Sequence, residues 1–382
     1  MRAYLTYLIL ALLSLSQIVS AQSLLGPTNR LWEGMEVGAD GFSGVLLRHR
    51  PDQMTFALPQ SFWALSLEMR KQMLGQRYWQ GLYNYPKLGW TFLMQSFGND
   101  QVLGRSYSLY PFLDLDLVKR GNLSLSFRVG YSFAWLPKKF DIETNPENTA
   151  IGSRLNNLTM LGLFAEYRFA ERWYLRAGGQ FTHTSNARYK QPNLGLNTAK
   201  LRFGLSYQLK PVESLSEYPY DEYPLAKRWR PFVRFGLAGK EQKVAGGPRY
   251  LAYSVSAGAG WMYSRKNQLQ LGMMLVYDRA IEAFMIEQEI PFRNENPNFR
   301  PIRPALLVGH EFLFGRVGVL TQTFWYLDKP FVGEEFMGFQ IGPSIYWKQP
   351  QHWDRLNFFA GIYLKAHKAV ADYVELTVGF GW

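Results

Sequence analysis

The sequence predicts an all-β fold, a transmembrane antiparallel up-and-down β-barrel of about 14–16 strands. Three observations predict it. Residues alternate with a period of two along much of the chain. Aromatic residues make up 16% and charged residues only 19%, beside 34 glycines, a composition of short strands and tight turns rather than helices. Beyond residue 21, no uninterrupted apolar run reaches the ~18 residues that a membrane helix requires.

The chain opens on an address. Met1 to Ala21 carries Arg2 as its single charge, an apolar stretch from Tyr4 to Leu15, and Val19-Ser20-Ala21 before Gln22. Small residues at Val19 and Ala21 fit a signal-peptidase site. Residues 1–21 are therefore expected to be a cleaved signal peptide and residues 22–382 a single barrel domain. The formal net charge is +12; without Arg2 it is 12 − 1 = +11, so the positive excess belongs to the mature chain, and an exported basic surface suits anionic lipid, polysaccharide or nucleic acid. Zero cysteines exclude a disulfide scaffold, a cysteine zinc site and a thiol nucleophile.

The strands follow in order. Candidate segments lie near residues 34–48, 60–71, 86–97, 103–116, 121–135, 157–170, 172–186, 196–209, 229–241, 249–264, 267–279, 302–314, 316–325, 335–347, 355–365 and 372–382. In the fifth, Leu123, Leu125, Phe127, Val129, Tyr131, Phe133 and Trp135 share one face, opposite Ser124, Ser126, Arg128, Gly130, Ser132 and Ala134. Rows of this length suit lipid on one side and water or polar packing on the other. Their terminal Trp and Tyr favour the membrane–water interface. The last segment alternates up to Trp382 and resembles the C-terminal assembly signal of bacterial outer-membrane proteins. Tight links such as Arg265-Lys266-Asn267 read as periplasmic turns, and the long 137–156 and 280–300 connections as extracellular loops. Residues 210–228 fall on the turn side and are long for a turn.

One motif is dense: His183-Thr184-Ser185-Asn186-Ala187, then Pro192-Asn193, Gly195 and Asn197. Parity places His183 and Ser185 in the outward row of Trp173, Leu175, Ala177, Gly179 and Phe181, and Asn197 at the head of the outward row of Ala199, Leu201 and Phe203. A hairpin folded about Gln191 puts Asn197 across from Ser185. Polar groups on the lipid side are costly unless hydrogen-bonded or used. A Ser and a His within reach form a nucleophile and base, which a third polar group can orient. The backbone N–H groups of Asn186 and Ala187 are candidate oxyanion donors, and Arg188 and Lys190 candidate contacts to a lipid phosphate. A His-x-Ser pair alone is common and uninformative.

The longer string resembles the PagL-type lipid A 3-O-deacylases, outer-membrane barrels that hydrolyse an ester-linked acyl chain of lipid A. His183, Ser185, Asn186, Pro192, Asn193 and Gly195 match their His-x-Ser-Asn element and Pro-Asn-x-Gly loop. The resemblance implies Ser185 as nucleophile, His183 as general base and the region after Ser185 as oxyanion hole. It implies lipid A in the outer leaflet as partner, no nucleic acid, and no metal or organic cofactor. Two features depart from the pattern. Asn197 stands where well-known members have an acidic residue, and the chain has about twice the strands of those eight-stranded barrels. Glu166 offers no replacement, because its parity turns it to the lumen.

The remaining candidates are weaker. His49, between two arginines, reads as part of a solvated basic loop. His310 and Glu311 are adjacent and so face opposite sides of a strand. His352 and His367 are isolated, and Asp114 and Asp116 share a lumen face. A porin-like barrel, whose inward Arg128, Arg176, Lys200 and Arg202 would favour anions, is the alternative to the esterase.

Overall fold

The computed structural model describes residues 30–48, 53–216, 229–241, 245–290, 302–328, 335–350, 356–367 and 370–382. The expected signal peptide, His49 and His352 lie outside them. Sixteen strands form among the described residues, each within a few residues of a segment picked out by alternation. The first eight are β1 (Met35–Leu47), β2 (Phe62–Gln72), β3 (Lys87–Ser96), β4 (Arg105–Arg120), β5 (Leu123–Trp135), β6 (Leu155–Arg168), β7 (Trp173–Ser185) and β8 (Leu196–Gln208). The second eight are β9 (Trp229–Glu241), β10 (Arg249–Ser264), β11 (Asn267–Asp278), β12 (Ile302–Phe314), β13 (Val317–Tyr326), β14 (Met337–Tyr346), β15 (Asn357–His367) and β16 (Val370–Gly381).

These strands close as two barrels of eight, rather than as one larger ring. β8 returns to β1, pairing Gln208 with Glu36 and Asn197 with Leu47, and β16 returns to β9, pairing Glu375 with Ala238 and Gly381 with Phe232. Alternation counts strands but is blind to which edges meet. The long 210–228 connection marks the boundary between the barrels. The first closure is reinforced at that end, where Gly34 N–H donates to the Lys210 carbonyl at 2.8 Å and Glu213 N–H to Glu33 at 2.9 Å. Among the described residues two short helices escaped the strand pattern: α1 (Tyr78–Leu82) and α2 (Arg279–Glu287). The second occupies what the sequence suggested was loop, and Asp278 caps it by accepting from Ala280 N–H at 2.9 Å. No helix among the described residues is long and apolar enough to cross a membrane; the strands do so.

The outward rows are apolar in both barrels. Leu65, Leu67, Phe92, Leu201 and Phe203 are exposed on the first, as are Leu271, Met273, Leu275, Phe358 and Val378 on the second. Aromatic pairs bracket the second band: Tyr253 and Tyr277 stack at 6.2 Å near one end, Trp229 and Trp261 at 6.4 Å near the other. Such girdles sit at lipid–water boundaries.

The lumens differ. That of the first barrel is crossed by ion pairs. Arg128 binds Asp114 at 2.5 Å and Glu68 at 2.6 Å; Arg202 binds Asp40 at 2.9 Å and Glu68 at 2.8 Å. Arg70 pairs with Glu36 and Glu166, Arg176 with Asp40 and Glu68, and Lys87 with Glu166. Glu166 and Asp114 are thus lumen residues, as parity required. Toward the end that carries His183, loop residues Phe56, Phe97, Leu136 and Ile151 are buried against Phe42, Leu46 and Leu158. The inward cations that suggested an anion pore are therefore held by carboxylates, apart from Lys200, which donates to Gln95. An eight-stranded barrel is just wide enough for side chains to fill it. In the second barrel, near the opposite end, Glu311 takes its hydrogen bonds from neutral groups, accepting from Gln268 at 2.5 Å, Gln270 at 2.9 Å and Tyr346 at 2.8 Å, with Arg230 and Arg234 lining the same space. His310, on the other face, meets Tyr263 at 2.8 Å.

Candidate active site

The site forms where β7 ends and β8 begins. Outward residues of β7 run from exposed Trp173 and Leu175 to half-buried Phe181 and His183, while Arg176, Gln180, Thr182 and Thr184 are buried in the lumen. Parity thus keeps His183 on the membrane face, and Asn197 on β8 shares that face. Register differs from the hairpin estimate by two residues: Asn197 pairs directly with His183, and Ser185 lies opposite Asn157 of β6. The shift brings Asn197 beside the imidazole.

His183 Nδ1 is 2.6 Å from Asn197 Oδ1, and His183 Nε2 is 2.9 Å from Ser185 Oγ. An amide oxygen can only accept, so Nδ1 carries the proton and Nε2 presents its lone pair to the Ser185 hydroxyl. This is the tautomer a general base needs. Ser185 is only 3% exposed. Gly195, at φ +80°, passes against the imidazole, where an added Cβ would lie 3.0 Å from His183 Cε1. Both the left-handed backbone and the close approach call for glycine there.

The hairpin between the two strands is tied down from within the first barrel. Asn186 N–H donates to Asn193 Oδ1 at 2.8 Å, and the Asn186 amide donates to Ser153 Oγ and the Lys190 carbonyl, both at 2.9 Å. Gly195 N–H donates to the Ala150 carbonyl at 2.9 Å. Gly152 packs against the carbonyls of Gln191 and Pro192, leaving no room for a Cβ. Ala187 and Arg188 both adopt left-handed backbone, at φ +49° and +59°, which L residues with side chains rarely do.

Two expectations change. Asn186 N–H is occupied by Asn193, so it does not face an incoming oxyanion; of the two expected donors Ala187 remains. Arg188, expected to be free for a lipid phosphate, is instead engaged by Asp372 of the second barrel at 3.4 Å. Lys190 bonds through its backbone, and among the described residues its ammonium group has no partner. Sequence reasoning passed over Asn157 and Tyr131, hydrogen-bonded at 3.3 Å beside Ser185, and Ser153, which supports Asn186. Parity on β6 held the clue: Asn157 and Thr159 head the outward row that continues as exposed Leu161 and Leu163.

Below the polar cluster the outer face sinks into an apolar groove of about 710 Å³, lined by Val45, Leu161, Leu163, Gly179, Phe181 and Ala199 among others. Phe181 and Ala199 are one step along their strands from His183 and Asn197, about 7 Å away. Gly179 deepens it, since nothing lies within 4 Å of where its Cβ would stand. Among the described residues no group of acidic, His or Cys side chains could hold a metal ion.

Comparison with known families separates the two barrels. The model described as lipid A 3-O-deacylase (PagL) matches residues 63–206. The model described as acyloxyacyl hydrolase, C-terminal domain, matches residues 231–382. The chain belongs to the PagL lipid A 3-O-deacylase family. This PagL-family chain is accordingly a hydrolase of lipid A esters by kinship, with lipid A and the outer membrane as its setting. A search of curated proteins found no match. Solved structures similar to it include neisserial surface protein A, 11% identical over 46% of this chain and 97% of that one with a TM-score of 0.32. A BenF-like porin from Pseudomonas fluorescens Pf-5 is 11% identical over 91% and 97%, with a TM-score of 0.23. Pseudomonas aeruginosa OccK11 is 11% identical over 91% and 94%, with a TM-score of 0.22. Likenesses this slight add nothing to the family assignment.

Proposed function

We propose that this chain is an outer-membrane serine esterase that removes an ester-linked acyl chain from lipid A, with the site at the outer leaflet. The observation that carries the reading is the continuous Asn197–His183–Ser185 hydrogen-bond chain on the membrane face. In this mechanism Ser185 Oγ attacks the acyl carbonyl while His183 Nε2 takes its proton. Asn197 holds the imidazole through Nδ1–H and, being neutral, stabilises the imidazolium less than a carboxylate. The imidazolium then protonates the departing sugar oxygen, and a water activated by His183 releases the fatty acid from Ser185. Ala187 N–H is the candidate oxyanion donor. In this reading the groove lined by Phe181 and Ala199 receives the acyl chain, and Lys190 meets an anionic headgroup.

Mass spectrometry of lipid A tests this directly. Cells expressing the wild type should show lipid A lighter by one acyl chain, and cells expressing folded Ser185→Ala should not. Identical acylation in the two strains would remove the esterase assignment.

A further inference from the structure

The hairpin that carries Ser185 is held from two sides, and the second side belongs to the other barrel. Glu241, the last residue of β9, is 3% exposed. Its Oε2 accepts the Gln191 N–H at 2.5 Å, and its own N–H donates to the Arg188 carbonyl at 3.0 Å. Asp372 of β16 meets Arg188 at 3.4 Å and is itself anchored by Lys240 at 2.7 Å. Lys240 also binds Asp278 at 2.5 Å. Arg249 of β10 lies 4.4 Å from the Tyr189 ring and donates to its hydroxyl at 3.2 Å. Three of the four hairpin residues 188–191, namely Arg188, Tyr189 and Gln191, are thus gripped or lined by the second barrel.

The consequence reaches the nucleophile through few bonds. Gln191 is two residues from Asn193, whose Oδ1 accepts the N–H of Asn186, the neighbour of Ser185. The hairpin also contains the left-handed Ala187 and Arg188, a conformation that persists only where surroundings impose it. A buried carboxylate receiving a backbone N–H is a charge-assisted contact, stronger than a neutral one. We propose that Glu241 is a positioning residue for Ser185, supported by Asp372 through Arg188, so that the second barrel completes a site whose reacting groups all lie in the first. The activity arm of this proposal rests on the serine-esterase reading; its structural arm does not.

The test uses the full chain folded in detergent micelles with lipid A as substrate. Glu241→Ala should lower kcat about tenfold or more while KM changes by less than about threefold, because an aligned hairpin rather than substrate affinity is lost. Glu241→Gln, which keeps an oxygen to accept the Gln191 N–H, should recover most of kcat. Arg188→Ala, which removes a partly exposed side chain outside either barrel wall, should lower kcat by a smaller factor and covers the case in which Glu241→Ala fails to fold. Hydrogen exchange of the 186–195 segment should quicken in Glu241→Ala and Arg188→Ala, with the strands unchanged. Wild-type kcat in both alanine variants, or a fall in kcat without faster exchange of that segment, would overturn the proposal. If Ser185→Ala is as active as the wild type, the esterase reading fails instead, and hydrogen exchange alone still decides whether the second barrel orders the hairpin.

Discussion

The two barrels share strand number, antiparallel order and closure, yet use the same end differently. The hairpin of β7 and β8 puts His183, Ser185 and Asn197 on the membrane face, in contact with one another. The β15–β16 pair turns His367 inward, toward Asp372 at 3.5 Å and the Tyr326 hydroxyl at 3.3 Å. A polar cluster in a lumen satisfies itself and fills space. The same cluster on a lipid face loses hydration unless it is used, which is why the outward one marks a site. The lumens diverge as well. Ion pairs cross the first, whereas Glu311 in the second is met by amide and phenol groups.

The contrast between the faces should give the largest effect. His183→Ala is expected to cost roughly 10⁴–10⁶-fold in kcat, as for other nucleophile–base pairs. His310→Phe, on the lipid face of the second barrel, should leave turnover within about twofold and stability within about 0.5 kcal/mol. Lipid A turnover by purified protein measures both, and comparable losses would break the distinction. The lumen contrast comes next. Glu68→Ala takes a shared carboxylate from Arg128, Arg176 and Arg202, leaving Asp114 to the first and a single Asp40 to the other two, and should destabilise the first barrel by about 3–5 kcal/mol. Glu311→Ala removes the acceptor of Gln268, Gln270 and Tyr346, with Arg230 and Arg234 lining the same space but, among the described residues, no Glu311 ion pair of the kind Glu68 makes, and should cost about 1–3 kcal/mol. Urea unfolding in lipid vesicles would show it; equal costs would erase the difference.

A smaller effect sharpens the reading of the site. Asn197→Asp restores a carboxylate to His183, and a charge-assisted bond stronger by about 1.4 kcal/mol should raise kcat about tenfold. A slower Asn197→Asp enzyme would mean that the neutral amide serves this site better than a charge. Smallest of all, Lys190→Ala should raise KM for lipid A about two- to fivefold, the scale of an exposed ion pair, with little change for an uncharged ester. An equal rise for both substrates would show that Lys190 shapes the hairpin rather than binding an anion.

Much of this was legible in the chain. Alternation located β9, β10 and β12 to the residue, because each strand is a local pattern imposed by lipid on one face and packing on the other. It also assigned the faces of His183, Asn197 and Glu166, since parity does not depend on register. Register itself was read two residues away, because it depends on the shape of the hairpin, and the Gly195 turn and the 146–153 support are not local. Arg188 looked like a headgroup contact because its partner, Asp372, lies 184 residues further along.

The sequence by itself determined the strands, their inward and outward faces and the chemistry gathered around Ser185, all properties of neighbours along the chain. Only the tertiary structure decided that β8 closes on β1, so that sixteen strands make two filled barrels, and that the second lays Glu241 against the hairpin of the first. Closure and docking rest on backbone and charge pairings between distant segments, and no periodicity records which edges will meet.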